Sequence, residues 1–247
     1  MFENGKGWVL GVVASVVAVG ILASSIVVTY GWVKTKYQAN TISVTGSAKK
    51  QIKSDYVTWK GTFSRQSADL SEAYKALQGD LAKVKKYLAD NGITEKDYAV
   101  SSVNTLTNYV PSGNGYSLTS KVESYRLTQD VDVRSNDVDK ITSISREATK
   151  LIQDGIQFQS MQPMYFYTKI ADLKVDMLAL ATSDAKNRAE KIATNAGSKL
   201  DGLKTAKMGV FQITPINSNE VTDYGINDTS SVEKEIMSVV NCTFEVK

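Results

Sequence analysis

The chain has 247 residues, 42% of them hydrophobic, with 29 Lys and Arg against 26 Asp and Glu; this fits one or two folded domains. It has no histidine and one cysteine, Cys242, which excludes a Ser-His-Asp triad, a Cys-His pair, His-ligated metals, thiolate zinc clusters and intrachain disulfides. A net charge of +3 is too small and dispersed for a nucleic-acid partner, and three prolines exclude a Pro-rich tail.

From Gly7 to Val33 no residue is charged, whereas Lys6 precedes the run and Lys34 and Lys36 follow it. Val9 to Val28 is apolar or small throughout. As a helix, about 20 such residues reach roughly 30 Å, the hydrocarbon thickness of a bilayer. Trp8, Tyr30 and Trp32 suit the headgroup level. A cleaved signal peptide is the competing reading, and Ala23-Ser24-Ser25 offers it small residues. Its apolar region runs only about 7–15 residues, however, and Ile26-Val27-Val28 continue past that point. Residues 1–36 are therefore expected to be a retained anchor that meets the lipid bilayer through residues 8–33. The flanking lysines favour a cytoplasmic carboxyl side, but a long following domain weakens that rule, so charge leaves the orientation open. Gly7, Gly11 and Ser15 recur every four residues, a stripe for helix–helix packing in the membrane or simply the usual frequency of small residues in a span.

Residues 37–40 read as a connector and 41–247 as one α+β domain. Thr41 to Ala48 is a first strand, expected to join the sheet that follows. Tyr56 to Ser64 alternates, with Val57, Trp59 and Phe63 on one side, as a half-buried strand does. Asp69 to Glu72 has the spacing of a capping box. Leu70, Ala73, Leu77, Leu81, Val84 and Leu88 follow at helical spacing, and Asn91-Gly92 ends the helix. Strands are predicted over Tyr98–Tyr109 and Lys121–Arg134, with the charged face of the second in solvent. Asn136 to Asp139 caps a second helix with a stripe of Val138, Ile141, Ile144, Ala148, Leu151 and Ile152, and Ile156–Tyr167 is the next strand. The order β-α-β-β-α-β predicts a ferredoxin-like antiparallel sheet covered on one face by two helices. A third long helix, Asp172–Ala196, and strands over Leu203–Ile213 and Ser238–Val246 extend it, with open edges that favour self-association.

Four stretches resemble the SIMPL-domain family. They are Ile42-Ser43-Val44-Thr45-Gly46; Gly92-Ile93 with Asp97-Tyr98; Asp184-Ala185, Arg188-Ala189-Glu190, Ile192-Ala193 and Ala196-Gly197 on the long helix; and the closing strand Val240–Val246. Arg188 stands where the family usually has Lys, and Lys53-Ser54-Asp55 replaces its usual Pro-Asp entry. The resemblance implies an anchored domain outside the cytoplasm, a loose link to envelope or oxidative-stress tolerance, and homo-oligomers. It brings no catalytic residues.

No phosphate loop, nucleophile elbow, EF-hand or dinucleotide fingerprint appears, so no catalytic residue, cofactor or metal is expected. Cys242 lies in step with Val240, Phe244 and Val246, which points to core packing rather than a reactive thiol. Lys186 and Glu190 are placed to pair on the long helix, and Arg188 has the planar fork for a carboxylate on another subunit. Tyr109, Tyr116 and Tyr224 sit among Gly, Asn and Ser in loops, a mixture that suits contact surfaces as well as plain connections. Arg188 and these three tyrosines are the expected oligomer contacts. The expected function is that of a non-enzymatic, membrane-anchored envelope protein assembling with itself into a ring or cage. The alternative is a module that binds a peptide or other envelope ligand.

Overall fold

The computed structural model describes residues 4–36, 40–112 and 118–247. Connector residues 37–39 and Tyr116 lie outside them. The chain is α+β, and its described residues form two compact units. The smaller takes in the described part of Met1–Ser47 with Ala181–Met208 and Val240–Lys247; the larger is Ala48–Leu180 with Gly209–Val239. The first helix, α1 (Asn4–Lys36), and the first strand, β1 (Thr41–Lys53), open the chain. Within α1, Gly11–Gly31 is long and apolar enough to cross a membrane, a property that a signal sequence shares. Its three serine hydroxyls are satisfied inside the helix: Ser15, Ser24 and Ser25 donate to the carbonyls of Gly11, Ile21 and Leu22, each at 2.9 Å. That internal pairing is what a hydrocarbon environment demands.

The larger unit is built around β2 (Tyr56–Ser67), α2 (Leu70–Asp90), β3 (Tyr98–Val100), β4 (Asn104–Pro111), β5 (Leu118–Ser135), α3 (Val138–Glu147), β6 (Gln157–Ser160) and β7 (Met164–Phe166). All pairings in this sheet are antiparallel, with β2 between β5 on one side and β6 and β7 on the other, and with β3 and β4 beyond β5. The apolar stripes meet as their spacing requires. Leu77, Val84 and Leu88 of α2 and Ile141 and Ile144 of α3 pack with Val57, Trp59 and Phe63 of β2 and Leu127, Val131 and Val133 of β5. Asp69 caps α2 by accepting from the Glu72 N–H at 2.8 Å, and Asp137 caps α3 through the Lys140 N–H at 3.0 Å.

Two strands expected to be continuous are each broken. Between β3 and β4 the register against β5 moves from Val100↔Val131 to Asn104↔Thr128, four steps on one side for three on the other. At this bulge the Ser101 hydroxyl takes a ladder position, accepting from the Asp130 N–H at 2.9 Å. Between β6 and β7 the register against β2 moves from Ser160↔Gly61 to Met164↔Thr58, and Pro163 in the gap has no N–H to offer. Ile152 also departs from expectation: the helix tightens into a 3₁₀ turn over Ala148–Ile152, which rotates Ile152 off the stripe and leaves it 54% exposed.

The remaining elements are α4 (Ile170–Asn195), β8 (Leu200–Met208), β9 (Gln212–Pro215), the two-residue β10 (Ile226–Asn227) and β11 (Glu233–Val246). β1 pairs with β11 and not with β2, so the first strand belongs to a second sheet instead of extending the first. The strand expected over Leu203–Ile213 is likewise two strands, β8 and β9. In the larger unit β9 pairs with residues 234–237 of β11, and Ile52, Leu173, Met177, Ile213 and Ile236 form a second apolar cluster. In the smaller unit β8 pairs with residues 240–246 of β11, whose Val240, Cys242 and Phe244 are buried. Ala181, Ala185, Ala189 and Ala193 of α4 are also fully buried there. Alanine every four residues gives the helix a flat face that a sheet can approach closely.

Candidate functional site

The family-like residues of β1 and α4 meet in the smaller unit. A Cβ on Gly46 would collide with the Ala181 carbonyl oxygen and lie 2.5 Å from the Ala185 nitrogen and 2.7 Å from its Cβ. The adjacent Ser47 N–H donates to Asp184 Oδ2 at 2.8 Å, and Arg188 Nε donates to the same oxygen at 2.8 Å. These bonds, the Ser47 backbone first and Arg188 second, hold the Asp184 carboxyl below the ordinary value of 3.8. The cluster fastens a strand to a helix. Among the described residues the ion pair on α4 is Asp184–Arg188, and Lys186–Glu190 is not formed. Gly92, Ile93 and Asp97 are likewise structural. Gly92 has φ +69°, Ile93 is buried, and Asp97 Oδ2 accepts from both the N–H and the hydroxyl of Thr94.

The expected contact residues stand on separate elements. Tyr109 is 39% exposed on β4, and Tyr224 is 97% exposed in the turn before β10. Arg188 stands on α4 with its side chain 55% exposed. Gly7, Gly11 and Ser15 lie along α1, and nothing lies within 4 Å of the Cβ position of Gly11. Cys242 is 1% exposed, and burial pushes its thiol pKa above the ordinary 9.0.

Sequence reasoning missed two buried charged groups in the larger unit. Arg65 on β2 grips Asp80 of α2 through two bonds, at 2.5 and 2.7 Å, and also donates to the Gly155 carbonyl at 2.8 Å. Asp80 is 2% exposed. The second is Lys234, also 2% exposed, at the start of β11. Its ammonium donates to the carbonyls of Tyr165 at 2.7 Å and Asp228 at 2.5 Å. Burial lowers its pKa from 10.5, and the Asp228 carboxylate opposes that shift. A signal for Lys234 existed, since it is in phase with Ile236, Ser238, Val240 and Cys242 on the inward face of β11.

Lys234 lines a cavity of about 310 Å³ with Ile52, Tyr167, Lys174, Phe211, Tyr224 and Ile226. Lys174 Nζ sits 5.4 Å from the centre of the Phe211 ring, a cation–π contact. A larger, shallower hollow of about 740 Å³ lies against Leu70, Tyr74, Val103 and Tyr125, with no buried cation in its wall. Among the described residues no group of three or more Cys, Asp or Glu side chains is arranged to hold a metal ion.

Together these features define an α+β protein whose fold follows an apolar helix long enough to cross a membrane. The pattern of the SIMPL family, described as a protein of unknown function (DUF541), matches residues 42–244, and the chain belongs to that family. No curated protein matches it.

Proposed function

We propose that this chain is a non-enzymatic subunit, tethered to a membrane by α1 with its α+β part outside the cytoplasm, that assembles with copies of itself into a closed ring or cage in the cell envelope. The observation that carries the assembly is β8. Residues Asp201–Met208 of this strand are exposed, and among the described residues β8 pairs only with β11. Ala206 and Met208 stand opposite Cys242 and Val240, so they continue the inward face of β11 onto β8, where no described residue covers them. Leu203 and Met208 are 50% and 58% exposed. A nine-residue strand with an open edge and an uncovered apolar face is a template for another chain. Tethering confines the subunits to a plane, so weak contacts add up by avidity, and heterologous contacts that close give a ring. Exposed Tyr109, Tyr224 and Arg188 supply further contact area.

The test is the mass, by light scattering, of the detergent-extracted chain beside its Leu203→Glu/Met208→Lys double variant. A large particle of fixed stoichiometry that falls to monomers in the variant, with unchanged melting, supports the reading. A monomeric wild type overturns it and moves a ligand-binding module ahead, a reading favoured by the cavity around Lys234.

A further inference from the structure

We propose that the cavity between the start of α4, β9, β10 and Lys234 is a binding site for a small monocarboxylate with an apolar body. Its volume of about 310 Å³ is at the small end of the range for ligand sites, about 300–1,000 Å³. The walls are apolar or aromatic, from Ile52, Tyr167, Phe211, Ile213 and Ile226, and the two charged lining residues are both cations, Lys174 and Lys234. Such walls accept a compact hydrocarbon or aromatic body, and the cations fix where its polar end must lie.

Lys234 is the anchor. Its ammonium carries three N–H groups, of which two are given to backbone carbonyls; among the described residues no protein acceptor takes the third. Neutral carbonyls compensate a buried cation only in part, and an incoming carboxylate completes the shell with a charge-assisted bond. The charge balance sets the valence. Asp228 is the one acidic group acting on Lys234, and its Oδ1 is occupied by the backbone and hydroxyl of Ser230. Glu235, next to Lys234 in sequence, is engaged by Lys49 at 2.9 Å. With Asp228 set against Lys234, Lys174 leaves one positive charge over, and a monoanion neutralises it.

The test uses the full-length chain in uncharged maltoside micelles, titrated with phenylacetate and, separately, with its neutral isostere phenylacetamide, with empty micelles as the blank. The expected result is saturable binding of one phenylacetate per chain. Phenylacetamide should bind at least about tenfold more weakly, the loss of one charge-assisted hydrogen bond. Lys174→Met, at a half-buried position in the lining, should weaken phenylacetate about tenfold and leave phenylacetamide unchanged. Lys234→Met should abolish the preference for the acid; if that variant fails to fold, Lys174→Met carries the test alone. Equal affinity for acid and amide overturns the proposal. So does the absence of saturable phenylacetate binding up to about 10 mM, weaker than any specific site needs.

Discussion

Gly46 and Ala185 meet with no room between them: a methyl group on Gly46 would sit 2.7 Å from the Ala185 Cβ. The hydrogen bond from Ser47 to Asp184, one residue after Gly46 on the strand and one before Ala185 on the helix, holds the strand against the helix at that spacing. Glycine on the strand and alanine on the helix are therefore one packing solution. The family-like residues here are explained by closeness of approach.

Gly46→Ala is expected to destabilise the protein by about 1–3 kcal/mol, because the atoms in the way are two backbone atoms and an alanine Cβ, none of which can rotate aside. Gly79→Ala is the control. Gly79 lies inside α2 with nothing within 4 Å of its Cβ position, so the change should stabilise by about 0.5–1 kcal/mol. Denaturant midpoints of the two variants should move in opposite directions.

Asp184 makes a specific contribution to acid sensitivity. Its folded-state pKa is lowered by the Ser47 and Arg188 hydrogen bonds, so the stability it adds is complete above the unfolded-state value of about 3.9. That stability is lost as pH falls through the folded-state value. Asp184→Asn should be less stable than the wild type at pH 6, and the gap should narrow steadily below about pH 4. Chemical denaturation at several pH values checks this, since carboxylates common to both chains cancel in the difference.

Arg65→Met should cost about 3–5 kcal/mol, because it strands the carboxylate of Asp80, 2% exposed, without its partner. Asp80→Asn should cost less: Arg65, with its side chain 29% exposed, can turn toward water, and the amide still accepts a bond. The double variant should recover part of the loss. A double-mutant cycle by denaturant melts measures all three quantities.

Cys242 is expected to resist thiol reagents in the native protein and to react fully once unfolded. The side chain is 1% exposed, and burial raises its pKa above the ordinary 9.0; both reduce the accessible thiolate. Fast modification in native buffer at pH 8, read by absorbance, would contradict this placement.

The helices were legible because their evidence is local. Asp69 and Asp137 mark the starts of α2 and α3, Gly92 and Gly197 take positive φ just beyond α2 and α4, and the apolar stripes run between. The inward faces of β2 and β11 were legible for the same reason, since alternation is read along one strand. The breaks after Val100 and Ser160 were not, because a one-residue shift is defined only against the partner strand. Nor was the pairing of β1 with β11, elements at opposite ends of the α+β part.

The sequence alone determined what depends on composition and periodicity: a histidine-free chemistry, an apolar helix of membrane length, the α+β class and the inward phase of β2, β5 and β11. The tertiary structure decided what depends on which distant residues meet. It set Gly46 on Ala185, joined Arg65 to Asp80 across 15 residues, and placed Lys234 between two carbonyls beside an apolar cavity. The physical reason is that a buried charge or a close backbone approach is stable only when its partner is in place, and the partner comes from another part of the chain.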